Sequence, residues 1–377
     1  MSRQQLSLVQ DCEDFVRGCT ILGTGGGGPP ERGMQLLSGA LKDGLTIEWI
    51  DPADVPDDAW TATAFGMGSI APISSETEAE IARLGLVEKV ERMRAMEVAI
   101  QELEAYTGRK IQAIVPVELG GSNTPGPLVN GLRLGIPVVD GDYAGRAIPE
   151  GVHTTPHLFG KASWPVSSVD RWGNVCIIKE AQKAAMMERI GKMLAVAAYG
   201  SCAMASTLLS GREMKEIVVP GTLTKCLELG RTIRLAREEG DDPVMAAVQF
   251  LEGWLLFKGE VTRKDWEDRG GYMYGTTHLR GVDEFKGHTF KVWFKNENHV
   301  VWKDEKPFVT SPDLVCLVDA QTAEPKTNTL LAAGDRMAAI GAKGLEAFRS
   351  EKGLEALGPS HFGFDIEYVP MEDRLGR

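Results

Sequence analysis

Carboxylates at the ends of apolar runs are the residues of this 377-residue chain best placed to move protons. Glu118 follows the run Ile111–Val117 and stands directly before Leu119-Gly120-Gly121. Its type and place suit a general base or a metal ligand. Asp140 and Asp142 close the run Ile136-Pro137-Val138-Val139. Two residues apart in extended backbone, they point to one face and could share a proton or a metal. The structural alternative for all three is a turn carboxylate that accepts backbone amides. On the same loop, Arg146 offers a bidentate fork to a substrate carboxylate, or else neutralises Asp140, Asp142 or Glu150. His153 and His157 are four apart, but Thr154-Thr155-Pro156 between them speaks against a helical metal pair. His157 is kept as an acid or base, His153 is read as a surface residue, and His361 as a structural one. Cys202, in an Ala- and Met-rich stretch, reads as a buried, inert thiol.

A second set of residues suits the binding of negative charge. Gly23-Thr24-Gly25-Gly26-Gly27-Gly28 precedes Pro29-Pro30 and a helix-like segment from Glu31 to Leu41. Glycines let the backbone approach a ligand closely, and a helix starting there would aim free amides at it. Thr24, Gly25, Gly26 and Gly27 are therefore candidates for substrate binding, as are Asn123, Arg146 and Glu150. The run can be forced onto a dinucleotide fingerprint with Glu48 or Asp51 as the ribose acid. The proline pair at the turn makes that reading secondary. No nucleophile elbow or phosphate-binding lysine loop is present.

These residues need elements to hold them. Thr61–Met67, Ile111–Val117 and Ile136–Asp140 read as strands alternating with helices at 76–107 and 128–134. That alternation predicts an α/β fold whose N-terminal domain, residues 1–166, is Rossmann-like with a mainly parallel sheet. The three Gly-rich loops, after Leu22, Val117 and Asp140, then fall at strand carboxyl ends, where ligands collect. Residues 167–377 predict a C-terminal β-rich (α+β) domain. Helices are expected over 181–209 and 222–239, the second with Thr222 as its cap. Strands follow at 254–261, 289–294, 299–302 and 314–318.

Composition narrows the partners. A net charge of -12 without a basic stretch argues against nucleic acid and anionic membranes. The N-terminus, Met1-Ser2-Arg3-Gln4-Gln5, shows no secretory pattern. Six scattered cysteines without a CxxC pair fit a reduced, cytoplasmic protein. A small-molecule substrate is the expected partner, and a homo-oligomer stays open.

Several separated motifs, in order, resemble the S-methyl thiohydantoin desulfurase family, which is associated with hydantoinase and oxoprolinase enzymes. They are Leu22–Gly28, Glu118–Asn123, Pro137–Glu150, Val219-Pro220-Gly221-Thr222 and Phe362–Pro370. The chain departs from the family pattern at Pro29, where an acidic residue usually follows the glycine run, and in the histidine-bearing segment after Glu150. The resemblance implies an N-terminal α/β domain, a C-terminal domain with substantial β-structure, and a hydrolase for cyclic ureide-like substrates. The family's named activity replaces the S-methyl group of a thiohydantoin by water, giving a hydantoin and methanethiol. Such rings arise when sulfur-bearing histidine betaines such as ergothioneine are degraded. On that reading Glu118, Asp140, Asp142 or His157 activates water, and glycine-loop amides stabilise the negative charge. No cofactor is required, although a divalent metal (zinc) held by the carboxylates and a histidine could replace the base. The other readings are a hydantoinase- or lactamase-type amidohydrolase, and a non-catalytic binding partner of a hydantoinase subunit.

Overall fold

The computed structural model describes residues 4–376, so the polar start at Met1–Arg3 lies outside the described residues. Helix α1 (Val9–Leu22) buries Cys12, Phe15, Val16 and Cys19 on one face, three and four residues apart. It continues through Leu22, so the glycine run joins it to a second helix, α2 (Pro30–Lys42), and follows no strand. A four-residue apolar run carries no period that separates helix from strand, which is why Cys19–Leu22 misled. The dinucleotide reading, which needs a strand before the glycines, loses its context here.

The first sheet has five strands: β1 (Trp60–Gly68), β2 (Ile111–Ile114), β3 (Val166–Val169), β4 (Val175–Ile178) and β5 (Ser201–Ser210). Their order is β2-β1-β5-β3-β4, and only the β1–β2 pair is parallel. Two isolated parallel bridges, Ile50 with Val139 and Ile114 with Val138, extend the parallel edge. The sheet is therefore mixed, not mainly parallel as the strand–helix alternation suggested. It also draws strands from both sides of residue 166.

The difference comes from β5, which sequence had placed inside a helix running to Leu209. The helical stretch expected over 76–107 is broken into a helix at Ser75–Arg83 and helix α3 (Ala95–Thr107), while helix α4 (Pro125–Arg133) forms close to its expected span. Helix α5 (Ala184–Ala197) instead stops early, and Tyr199 (φ 57°) and Gly200 (φ 146°) turn the chain back along β1. In β5, Cys202 and Met204 pack towards α5 with Met187 and Ala195, while Ala203 and Ala205 join the large core that includes α3. A strand buried on both faces shows no polar alternation, and small apolar residues fit a helix equally well.

Helix α6 (Thr222–Glu239) occupies its expected span, with Gly221 rather than Thr222 at the cap position. It crosses α1 in backbone contact: a Cβ on Gly18 would lie 1.9 Å from the Cys226 carbonyl oxygen, and one on Gly230 1.8 Å from that of Asp14. Beyond it lies a curled antiparallel sheet of seven strands. They are β6 (Trp254–Arg269), β7 (Tyr272–Gly281), β8 (Thr289–Lys295), β9 (Glu297–Lys303), β10 (Lys306–Thr310), β11 (Leu314–Asp319) and β12 (Arg336–Ala342). The order is β10-β9-β8-β7-β6-β12-β11, and β9 also approaches β11. Phe257, Phe290, Val292, Val301 and Met337 are central to the core of this sheet. The expected β-rich C-terminal part is thus observed. Among the described residues no helix is long and apolar enough to cross a membrane.

The glycine run is the joint between these parts. A Cβ on Gly27 would lie 2.4 Å from the Gly120 Cα, and one on Gly120 2.4 Å from the Gly27 Cα. The Gly27 carbonyl accepts from the Ser122 and Asn123 amides, both at 3.1 Å. On its other side the run meets the second sheet, with Asn298 N donating to Thr24 O and Asn328 N to Gly25 O, each at 2.8 Å. Arg146, only 1% exposed, completes the joint. Its guanidinium donates to Thr24 Oγ1, Asn298 O, Ala147 O, Pro312 O and Asp313 O.

Gly120→Ala should therefore lower stability by at least about 1–3 kcal/mol, because the obstacle is main chain and cannot rotate away. Gly39→Ala, a helical site with nothing within 4 Å of the new Cβ, should be neutral or gain about 0.5–1 kcal/mol. Urea denaturation of both variants checks the contrast. Equal effects would count against backbone contact as the cause.

Candidate active site

A cavity of about 770 Å³ opens between the first sheet, the glycine loop and the tip of the second sheet. Gly27 and Gly28 line it, whereas Thr24, Gly25 and Gly26 stand behind its wall. The reason is steric. A Cβ at Gly25 would meet the Asn328 side chain at 2.5 Å, and one at Gly26 would meet Glu297 Oε1 at 1.9 Å. The missing side chains make room for protein groups, and the chief one is Glu297.

Glu297 begins β9, is 2% exposed, and accepts from the Gly27 amide at 3.3 Å through Oε1, leaving Oε2 unpartnered. Across from it stands Glu118, at the exit of β2 as sequence placed it. Asn123 Nδ2 donates to Glu118 Oε1 at 2.5 Å, and the Ile148 amide to Oε2 at 2.6 Å. Burial pushes the Glu118 carboxyl up to about 7, against the pull of those two donors. Burial, with the Glu118 charge beside it, raises Glu297 well above the usual carboxylate range. Two neighbouring carboxyls with separated affinities for protons can serve as base and acid.

Helix α5 adds Glu188 and Lys192, one turn apart and both nearly fully buried. Lys192 Nζ donates to Gly68 O at 3.1 Å and lies 3.9 Å from Glu188 Oε1. Burial lowers the Lys192 pKa against the attraction of Glu188, Glu297 and Glu118. The β6–β7 hairpin brings Tyr272 over this group. Its hydroxyl donates to Glu188 Oε1 at 2.9 Å, and the Lys192 and Lys295 ammoniums lie 4.1 and 4.2 Å from its ring centroid. Lys295 also binds Glu150, which His361 Nε2 approaches at 3.2 Å. Burial alone would raise Glu150, but His361, His153 and Lys295 hold it well below the ordinary carboxylate range.

Of the residues singled out from sequence, the cavity gathers Glu118, Asn123, Glu150, His157 and Gly27. His157 is half-buried on the rim, and burial lowers its pKa. Cys202 also lines the cavity, with its thiol pushed up to about 11 by burial, so it is not poised as a thiolate. Asp140 is elsewhere: it caps α6, accepting from the Leu223 and Thr224 amides at 3.0 Å and the Thr224 hydroxyl at 2.5 Å. Asp142 is fully buried behind the wall and accepts from the Ala144 and Gly145 amides. Arg146 does not line the cavity, because its donors are spent on the joint. His153 is buried rather than on the surface, and its ring meets that of His361 at 4.8 Å between centroids.

Sequence reasoning missed Glu297, Lys192 and Glu188. For the helical pair a signal existed, since two opposite charges four apart interrupt an otherwise Ala- and Met-rich segment. For Glu297, within Asn296-Glu297-Asn298 in a β region, no local pattern marks a site.

Two family models together match nearly the whole chain. They are "S-Me-THD-like, N-terminal domain" over residues 10–180 and "S-Me-THD-like, C-terminal domain" over residues 182–371. Among solved structures, a protein from Chromobacterium violaceum matches with a TM-score of 0.76 and 21% identity, covering 98% of this chain and 100% of that one. At that identity the likeness speaks for the fold alone. No curated protein matches the chain.

Asp142 gives a test of the buried wall. Burial pushes its carboxyl up to about 7 from an ordinary 3.8. The folded state thus holds a proton that the unfolded chain releases above about 4. Its contribution falls as pH rises between those values and is constant above about 7. Asp142→Asn escapes that loss. Its melting temperature relative to wild type should climb from pH 4 to pH 7 and then level off. A difference independent of pH would show that Asp142 is ionised throughout.

Proposed function

The chain belongs to the S-Me-THD-like family, and from that premise we propose that it is a hydrolase acting on an S-methylated thiohydantoin, with Glu118 as base and Glu297 as acid. The observation that carries this reading is the buried Glu118–Glu297 pair at the glycine loop, with Lys192 near both carboxylates. The ring carbon bearing the S-methyl group is bonded to nitrogen on both sides, and resembles an amidine in its reactivity. Glu118 takes a proton from water as its oxygen bonds to that carbon, while Glu297 gives its proton to the ring nitrogen. The new hydroxyl then returns a proton to Glu297 as the carbon–sulfur bond breaks. Methanethiolate leaves with the proton held by Glu118. Both carboxyls end as they began, and the products are a hydantoin and methanethiol.

The surroundings support these roles. Asn123 and the Ile148 amide hold the Glu118 carboxylate in place and favour its charged form. Burial and the neighbouring Glu118 charge favour the protonated form of Glu297, against the pull of the Gly27 amide. The Lys192 ammonium faces the negative charge that builds up on the attacked ring. Asp140 and Asp142 stand outside this scheme, because neither lines the cavity: Asp140 caps α6, and Asp142 Oδ2 accepts from the Ala144 and Gly145 amides.

Incubation with an S-methyl thiohydantoin should release methanethiol, measured with a thiol reagent. Ammonia or a ring-opened acid would mark an amidohydrolase instead, and binding without turnover a non-catalytic partner. Glu118→Gln and Glu297→Gln should each lower kcat on the order of 10²–10⁴-fold. The wild-type rate should rise with pH up to about 7, as Glu118 ionises. At higher pH it should fall, as Glu297 loses its proton. A Glu118→Gln enzyme with full rate and an unchanged pH profile would remove Glu118 from the mechanism.

A further inference from the structure

Behind the cavity wall, Glu150, His153 and His361 each direct one donor atom into a common space, and these atoms all lie within 4.8 Å of one another. They come from two short turns far apart in sequence, Gly151–His153 with the residue before it and Pro359–Phe362. His153 is fully buried, and among the described residues neither ring nitrogen has a hydrogen-bond partner. An imidazole presents a donor or a lone pair at each nitrogen, and burying both unmatched is costly. Satisfied polar groups are the rule inside proteins, so an orphaned histidine beside a second histidine and a carboxylate calls for a ligand.

We propose that Glu150, His153 and His361 bind a divalent transition-metal ion of the zinc class. Two imidazole nitrogens and one carboxylate oxygen form a donor set that zinc accepts, with a fourth position left for water. Calcium and magnesium prefer oxygen donors and fit this set poorly. The ring neighbours favour a fixed site. Phe362 stacks on His299 at 4.0 Å and packs against His153 at 5.7 Å between centroids. Those contacts hold the turn that carries His361. Lys295 competes for the same carboxylate, so the ion must share Glu150 with that ammonium or displace it. The ion's role is to tie the Glu150–His153 segment, part of the cavity wall, to the C-terminal turn. This assignment stands apart from the desulfurase reading, because it is measured without substrate.

Chelator-treated protein titrated with Zn²⁺, and with Co²⁺ for its visible spectrum, reads the site directly. One tight equivalent per chain is expected, with a rise in melting temperature on zinc addition and the intense bands of four-coordinate Co²⁺. His153→Ala and His361→Gln should each weaken binding by more than the roughly 10–100-fold lost when only a supporting hydrogen bond is removed. His361 is partly exposed, so its variant keeps the test open if His153→Ala fails to fold, with circular dichroism as the check. No stoichiometric uptake at micromolar zinc, or binding undiminished in folded His361→Gln, overturns the proposal.

Discussion

Main chain resting on main chain, at Gly27 and Gly120, is the contact on which the rest of this structure depends. No side chain separates the loop after α1 from the loop after β2, so the two are in direct backbone contact. The same absence of side chains lets Glu297 enter from the second sheet and rest on the Gly27 amide. A glycine run usually suggests a bound ligand. Here most of its amides, carbonyls and empty Cβ positions serve other parts of the protein, and only Gly27 and Gly28 reach the cavity.

Packing this tight around carboxylates sets up an electrostatic problem that Arg146 helps to resolve. Its guanidinium is surrounded by five oxygen acceptors and keeps its charge even though burial lowers its pKa to about 10. That fixed positive charge lies near Glu297 and Glu118, as does Lys192. Burial drives both carboxyls towards the neutral form, and the cations oppose it. Glu118 also has two strong donors, while Glu297 has one long one. The pair therefore splits: Glu118 is pushed up to about 7, and Glu297, with weaker donors, is raised well above the usual carboxylate range. The difference between the two glutamates lies in their hydrogen-bond partners, not in their depth.

Much of the second half of the fold was legible in sequence, because alternation in β8 and the long periodic stretch of α6 obey simple rules. The place of Glu118 on the cavity was legible too, since a carboxylate after a buried apolar run and before glycines sits at a strand exit, where loops gather. Asp140 shows the limit of that argument. It stands at a similar strand exit, yet the start of α6, some eighty residues further on, takes up both of its oxygens. Only the tertiary fold reveals which amides a carboxylate will meet. The same holds for β5, whose apolar residues carry no period, and for Glu297, whose meaning comes from Gly26 and Gly27 across the joint. His153 was judged by its flanking threonines and proline, whereas its burial is decided by the C-terminal turn.

The strand order of the first sheet has a consequence for how the chain is made. β1 pairs with β2, which follows soon after it, but its other edge is covered only by β5. Because a ribosome delivers the N-terminus first, β1 presents an open edge until residue 210 has emerged. Glu297 arrives later still, so the cavity cannot be completed until most of the polypeptide exists. Interrupted synthesis would thus leave a half-built sheet with an unsatisfied rim, a substrate for chaperones and proteases and not for chemistry.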